Sequence, residues 1–115
     1  MLSRESIKAA AQSPKMTTVD LPAWGGQVNV RVMSGTERNS WEQSITDANQ
    51  KTVANFREQL LVRTVCDDQG NRIYTDSDVD ELSACSAPEL STLYDAAAEL
   101  NLIGRKARDA AAGNS

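Results

Sequence analysis

The chain has no histidine. That removes the commonest general base, nucleophile activator and metal ligand together. Ser-His and Cys-His catalysis are excluded, and only catalysis by carboxylates stays open. Cysteine is scarce too: Cys66 and Cys85 lie far apart, each beside a helical pattern. A structural zinc site needs about four ligands and would have to recruit carboxylates here. Two reduced, part-buried thiols are the expectation, with no metal and no cofactor. Aromatic residues make up 4 %, so the core must come from Leu, Val, Ile and Ala. No run approaches the ~20 apolar residues of a membrane span. The start, Met1 to Ser6, lacks the apolar segment of a signal peptide, which points to the cytoplasm of the cell that makes the protein.

At 115 residues there is room for one domain and one core, and none for a deep substrate cavity with its supporting shell. The net charge of -4 argues against a nucleic-acid binder, which carries a basic balance. The local basic cluster of Arg105, Lys106 and Arg108 reads as a helix C-terminus favoured by the macrodipole.

Residues 1–15 predict a short, loosely held helix over Ser3 to Ala11, capped by Ser3 but with Ser6 where a full capping box wants Glu or Gln. Pro14 stops it. Over 16–33, Val19 and Leu21, then Val28, Val30 and Val32, alternate with polar neighbours. That is strand periodicity, and Pro22 with Gly25-Gly26 supplies the reversal of a two-stranded hairpin. Such a hairpin is marginal alone and needs a helix beneath it.

The rest, 34–108, reads as a helical body. Ser34-Gly35-Thr36-Glu37 is a capping box opening a helix over 35–48. Val53, Phe56, Leu60 and Thr64 resume the helical period over 52–66, widened by Leu61, Val62 and Val65 into a helix covered on several sides. Thr75 to Asp78 and Ser86 to Glu89 open two more helices, over 76–84 and 87–108. The last carries Leu90, Leu93, Ala97 and Leu100 on one stripe, and residues 109–115 form a frayed tail. The expected fold is mainly α: a single domain of four to five helices with an N-terminal two-stranded hairpin. Phe56 and Leu60 should centre the core, with Trp41, Leu90 and Leu93 against them.

The acidic residues Asp67, Asp68, Asp76, Asp78, Asp80 and Glu81 fail as a calcium loop. With Gly70 as the sixth position, Val65 falls at the first, and no glycine follows the later acids. A polar turn and helix-start carboxylates explain them. Gly25-Gly26 lacks the spaced glycines and Lys-Ser/Thr ending of a phosphate loop. The hydroxyls of Ser34, Thr75 and Ser86 are explained by capping, and none is a nucleophile candidate. Trp24 is either a lid over the small core or a partly exposed binding anchor.

The order of these features carries a resemblance. The Pro-Trp-Gly hairpin, the valines with Arg31, Ser34 to Arg38, Leu61-Val62-Arg63, Asp67 to Gly70 and Ile73 to Val79 with Leu82 follow in sequence. Together, over Ser3 to Leu102, they resemble the tail assembly chaperones of long, non-contractile-tailed bacteriophages; the Ala-rich finish beyond Leu102 does not match. The resemblance implies a non-enzymatic protein that binds the long, helical tape measure protein. It would keep that client soluble until tail-tube subunits polymerise around it, then leave before the virion is complete. It implies work in the host cytoplasm, self-association, and a short form beside a longer one, made by ribosomal frameshifting, that recruits tail-tube protein. No small-molecule substrate is implied.

The candidate protein-binding surface is read from the residues themselves. Tyr94, Ala98, Leu102 and Ile103 flank the apolar stripe of the last helix, and the Trp24 hairpin offers a second edge. Two other classes stay open: a small phage structural or adaptor protein such as a head–tail connector component, and a small helical regulator of a host protein.

Overall fold

The computed structural model describes residues 1–46 and 55–103. The elements run α1 (Arg4–Ala11), β1 (Met16–Leu21), a 3-10 turn (Pro22–Trp24), β2 (Gly26–Arg31), α2 (Gly35–Ser44), α3 (Phe56–Thr64), β3 (Val65–Cys66), α4 (Val79–Ser83) and α5 (Ala87–Leu100). The fold is α/β, with five helices and a three-stranded antiparallel sheet among the described residues, in the order β1-β2-β3.

This corrects the expected mainly α domain with a two-stranded hairpin. The hairpin is present, with Val19 opposite Val28 and Thr17 opposite Val30, and Gly25 turns the chain at φ 84°. The third strand comes from the end of the central helix. Val65 fits the helical apolar period, yet its backbone is extended at φ -65°, ψ 126°. Val65 pairs with Val30, and Cys66 with Asn29. A β-branched residue at a helix end loses little by leaving the helix. Pairing there gives β2 neighbours on both sides, which relieves the marginality of a lone hairpin.

Of the helices predicted for the helical body, the first, α2, starts at its capping box, where Ser34 and Glu37 satisfy each other's backbone amides. The prediction that Ser6 spoils a box at Ser3 is overturned. The Ser6 hydroxyl accepts from the Ser3 amide at 2.8 Å, and Ser3 accepts from the Ser6 amide at 3.2 Å. A serine side chain reaches because it lies directly over the cap. The helix foreseen from residue 76 starts only at Val79, because Asp78 folds back to accept the Thr75 amide at 2.7 Å and closes a turn first. The expected helical residues 47–48, 52–54 and 104–108, the basic cluster at Arg105, Lys106 and Arg108, and the 109–115 tail lie outside the described residues.

The core sits between the sheet and α3: α5 packs on β1 and β2, and α3 packs on α5 with α4 and α2 beside it. Leu60, Leu61 and Val62 are fully buried, as Leu82, Leu93 and Val30 are nearly or wholly so. Such all-round burial requires a helix with apolar groups on successive residues. Trp41, Leu90 and Leu93 pack there as foreseen. Phe56 does not: it is half-buried, because it opens α3 at the rim and meets Tyr94 edge to face, ring centres 5.5 Å apart. The centre shifts one turn along, to Leu60–Val62. Helix α1 contributes no buried residue.

Candidate functional site

A polar framework fixes which surfaces are open. Arg63 is 4 % exposed, although it lies on the central helix. Its guanidinium donates to the Gln59 carbonyl at 2.7 Å and the Ser40 hydroxyl at 2.9 Å, and lies 3.4 Å from Asp76. Burial holds the Arg63 pKa below the usual arginine value, with Asp76 opposing that shift. Arg72 donates twice to the Val62 carbonyl and, at 2.6 Å, to Asp76. The Arg72 hydrogen bond, and then the charge of Arg63, hold the Asp76 carboxyl below the usual range against partial desolvation. Arg31 pairs with Glu37. The cluster is a clasp that ties α2, α3 and the β3–α4 connection together.

The end of α5 is tied by Asn101. Its carbonyl oxygen accepts the Met33 amide at 2.8 Å, and its amide nitrogen donates to the Arg31 and Ala97 carbonyls. The side chain of Arg38 closes the same corner by donating to the Asn101 carbonyl at 2.8 Å. The helix stops in a Schellman motif. Ile103 donates to Ala98 at 2.8 Å and Leu102 to Glu99 at 3.2 Å, with Leu102 left-handed at φ 55°.

The five residues expected to form a binding surface are placed differently from one another. Trp24 ends the 3-10 turn at the hairpin tip, 43 % exposed, with its indole N–H donating to the Ser86 hydroxyl at 3.1 Å. That bond ties the hairpin to the start of α5 while leaving much of the ring in water. Tyr94 is half-buried against Phe56, with the Arg57 guanidinium over both rings, and burial raises its pKa. Ala98 is buried and Ile103 packs on the core, whereas Leu102 is 55 % exposed. Trp24 and Leu102 thus stand at opposite ends of a 14-residue helix, about 21 Å apart along its axis. They do not form one patch.

Two open, largely apolar hollows lie elsewhere. One of about 270 Å³ runs along Ala10, Ala11 and Pro14; another of about 320 Å³ runs along Leu100 and Leu102. They share Val32, Met33 and Ser34. Sequence reasoning missed these hollows because Val32 reads as a strand residue and Met33 as a linker. The signal available was the apolar pair Val32-Met33, placed between a strand and a capping box with no element of its own.

Among the described residues no cluster of three or more Cys, Asp or Glu side chains is placed to hold a metal ion. The acids weighed as a calcium loop have local uses. Asp67 accepts the Gln69 and Asn71 amides at 2.9 and 3.0 Å, and those backbone bonds hold its carboxyl below the usual range. Cys66 and Cys85 are free thiols, and burial raises the pKa of Cys66. Among the described residues no helix is long and apolar enough to cross a membrane.

Comparison with known proteins fits this architecture. The sequence profile of the phage tail assembly chaperone family matches residues 3–113, so it includes most of the Ala-rich finish beyond Leu102 that the resemblance left out. Among solved structures, the bacteriophage HK97 tail assembly chaperone superposes with a TM-score of 0.62 at 21 % identity, covering 85 % of this chain and 98 % of that one. At that identity the match speaks for the fold. No curated protein matches the chain.

Proposed function

Because the chain belongs to the phage tail assembly chaperone family, we propose that it binds the tape measure protein and keeps it soluble until tail-tube subunits polymerise around it. The family match over residues 3–113 carries this reading. The architecture supports it: a small core closed by a polar clasp leaves apolar surface at Trp24, Leu102 and the hollows beside Met33. A net charge of -4 helps such a surface stay in solution. Weak contacts repeated along a very long client gain avidity from linkage, so no deep pocket is required.

In this reading the protein acts in the host cytoplasm, self-associates along its client and is absent from the mature virion. A longer frameshifted form recruits tail-tube protein. The family match favours neither the connector nor the host-regulator alternative. Co-expression tests the proposal. The tape measure protein encoded with this chain should move from the pellet to the supernatant and co-purify with it; a client equally insoluble with and without it refutes the reading.

A further inference from the structure

We propose that helix α1 is an arm that docks on a second copy of this chain, in a hollow beside the open half of β2. This specifies the self-association in the functional reading above and rests on that reading for its role.

The arm is a formed helix that its own domain hardly uses. It spans eight residues, is capped by the reciprocal Ser3–Ser6 box and buries no residue. A helix that short is marginal in water without packing. Ile7, Ala10 and Ala11 fall on one face by helical spacing, and Ile7 is 57 % exposed. Ala10 and Ala11 wall the hollow beside Val32 and Met33, but Ile7, one turn earlier, lies outside that lining. Arg4 and Lys8, four apart, run along the flank of this face, and Glu5 falls on the opposite side by the same spacing. Among the described residues neither Arg4 nor Lys8 has an ion-pair partner.

The receiving surface has the opposite charge. β3 pairs only with Asn29 and Val30, so on that side Gln27 and Val28 have no strand beside them among the described residues. A hollow of about 520 Å³ occupies the gap. Val28, Cys66 and Ile73 give it apolar wall, with Ile73 51 % exposed. Asp67 and Asp68 give it charge, and no Lys or Arg lines it. Backbone bonds within its turn hold the Asp67 carboxyl below the usual range, and Asp68 has no ion-pair partner among the described residues. An apolar side chain flanked by two cations thus matches an apolar wall flanked by two carboxylates. Both halves belong to this chain, which commits the contact to a second copy. Within one copy they stand apart, since α1 meets the sheet beside Val32, about 13 Å along the strand direction from Val28. Because arm and hollow are different surfaces, the contact runs head to tail and repeats from copy to copy.

Sedimentation velocity of the purified full chain over a range of concentrations, at low and high salt, tests the contact without client. Wild type should sediment faster as concentration rises, and less so at high salt. Ile7→Ser, Lys8→Glu and Asp68→Lys alter exposed side chains, so each should melt like wild type while associating about tenfold more weakly. Lys8→Glu and Asp68→Lys together in one chain should restore association, because the charges change places. A wild type that stays monomeric overturns the proposal. So do single variants that associate like wild type, and so does a combined variant no better than the singles. A Lys8→Glu variant that melts lower with unchanged sedimentation places α1 in the hollow of its own copy and overturns it too. Co-expression with the tape measure protein is scored separately. A client solubilised by a monomeric chain keeps the functional reading and sinks the arm; an associating chain that leaves the client insoluble does the reverse.

Discussion

Replacing Asn101 by alanine should be among the most damaging polar substitutions in this protein. Asn101 is 6 % exposed and makes three side-chain hydrogen bonds, to the Met33 amide and the Arg31 and Ala97 carbonyls. Its amide orientation follows from those partners, since one N–H must meet the oxygen and two carbonyls the nitrogen. Alanine leaves the Met33 N–H unpaired in a buried corner, at about 1–3 kcal/mol, and forfeits two further bonds worth about 1 kcal/mol each. The sum is roughly 3–5 kcal/mol, a large share of the roughly 6–17 kcal/mol typical of a chain this long. Asn101→Asp should be at least as harmful. It keeps an acceptor for Met33 but sets a carboxylate against two carbonyl oxygens. Urea unfolding followed by circular dichroism measures both, with an unchanged slope showing that only stability moved. A loss below about 1 kcal/mol for alanine, or an aspartate variant stabler than the alanine one, refutes the argument that this network closes the corner.

Leu60→Ala should cost about 2–5 kcal/mol in the same assay, since Leu60 is fully buried on the central helix α3. Gly70→Ala should cost about 1–2 kcal/mol, because Gly70 sits at φ 85° and the nearest atom to a new Cβ, Pro14 Cγ at 3.4 Å, is in ordinary contact range. The penalty is thus backbone strain, and Gly26→Ala, with open space around it, should be near neutral. Acid should weaken the clasp. The Asp76 carboxyl is held below its ordinary value, so its contribution is complete above about pH 4 and is lost as pH falls through the lowered folded value. Asp76→Asn should flatten that part of a stability–pH curve and leave its neutral limb with little slope change.

The helix starts were the most legible part of the fold, because capping is a local code. Ser34 with Glu37 is readable from four residues and folds as read. The hairpin was legible for the same reason: alternation and a glycine reversal are both short-range signals. The third strand was not. Val65 and Cys66 satisfy helical period and strand propensity alike, and what decides between them is a neighbour 35 or more residues away in β2. Phe56 misled because it shares the helical period of Leu60, whereas the first residue of a helix lies at the rim of what the helix buries. The clasp was invisible too. Nothing local to Arg63 and Arg72 marks a shared partner, and only the fold brings Asp76 to both. The candidate surface was half legible: apolar residues flanking a helical stripe could be counted, but whether α2, α3 or the sheet covers each is a tertiary fact. Ala98 is buried by that packing and Leu102 is not.

The claim that this chain holds a tape measure protein soluble is tested most directly by light scattering. Denatured tape measure protein is diluted into buffer alone, into buffer with this chain, and into buffer with an unrelated acidic protein of equal size. The account predicts that scattering falls in proportion to added chain and vanishes at a fixed ratio of copies to client length, while the control has no effect. Scattering that rises equally in all three would contradict it.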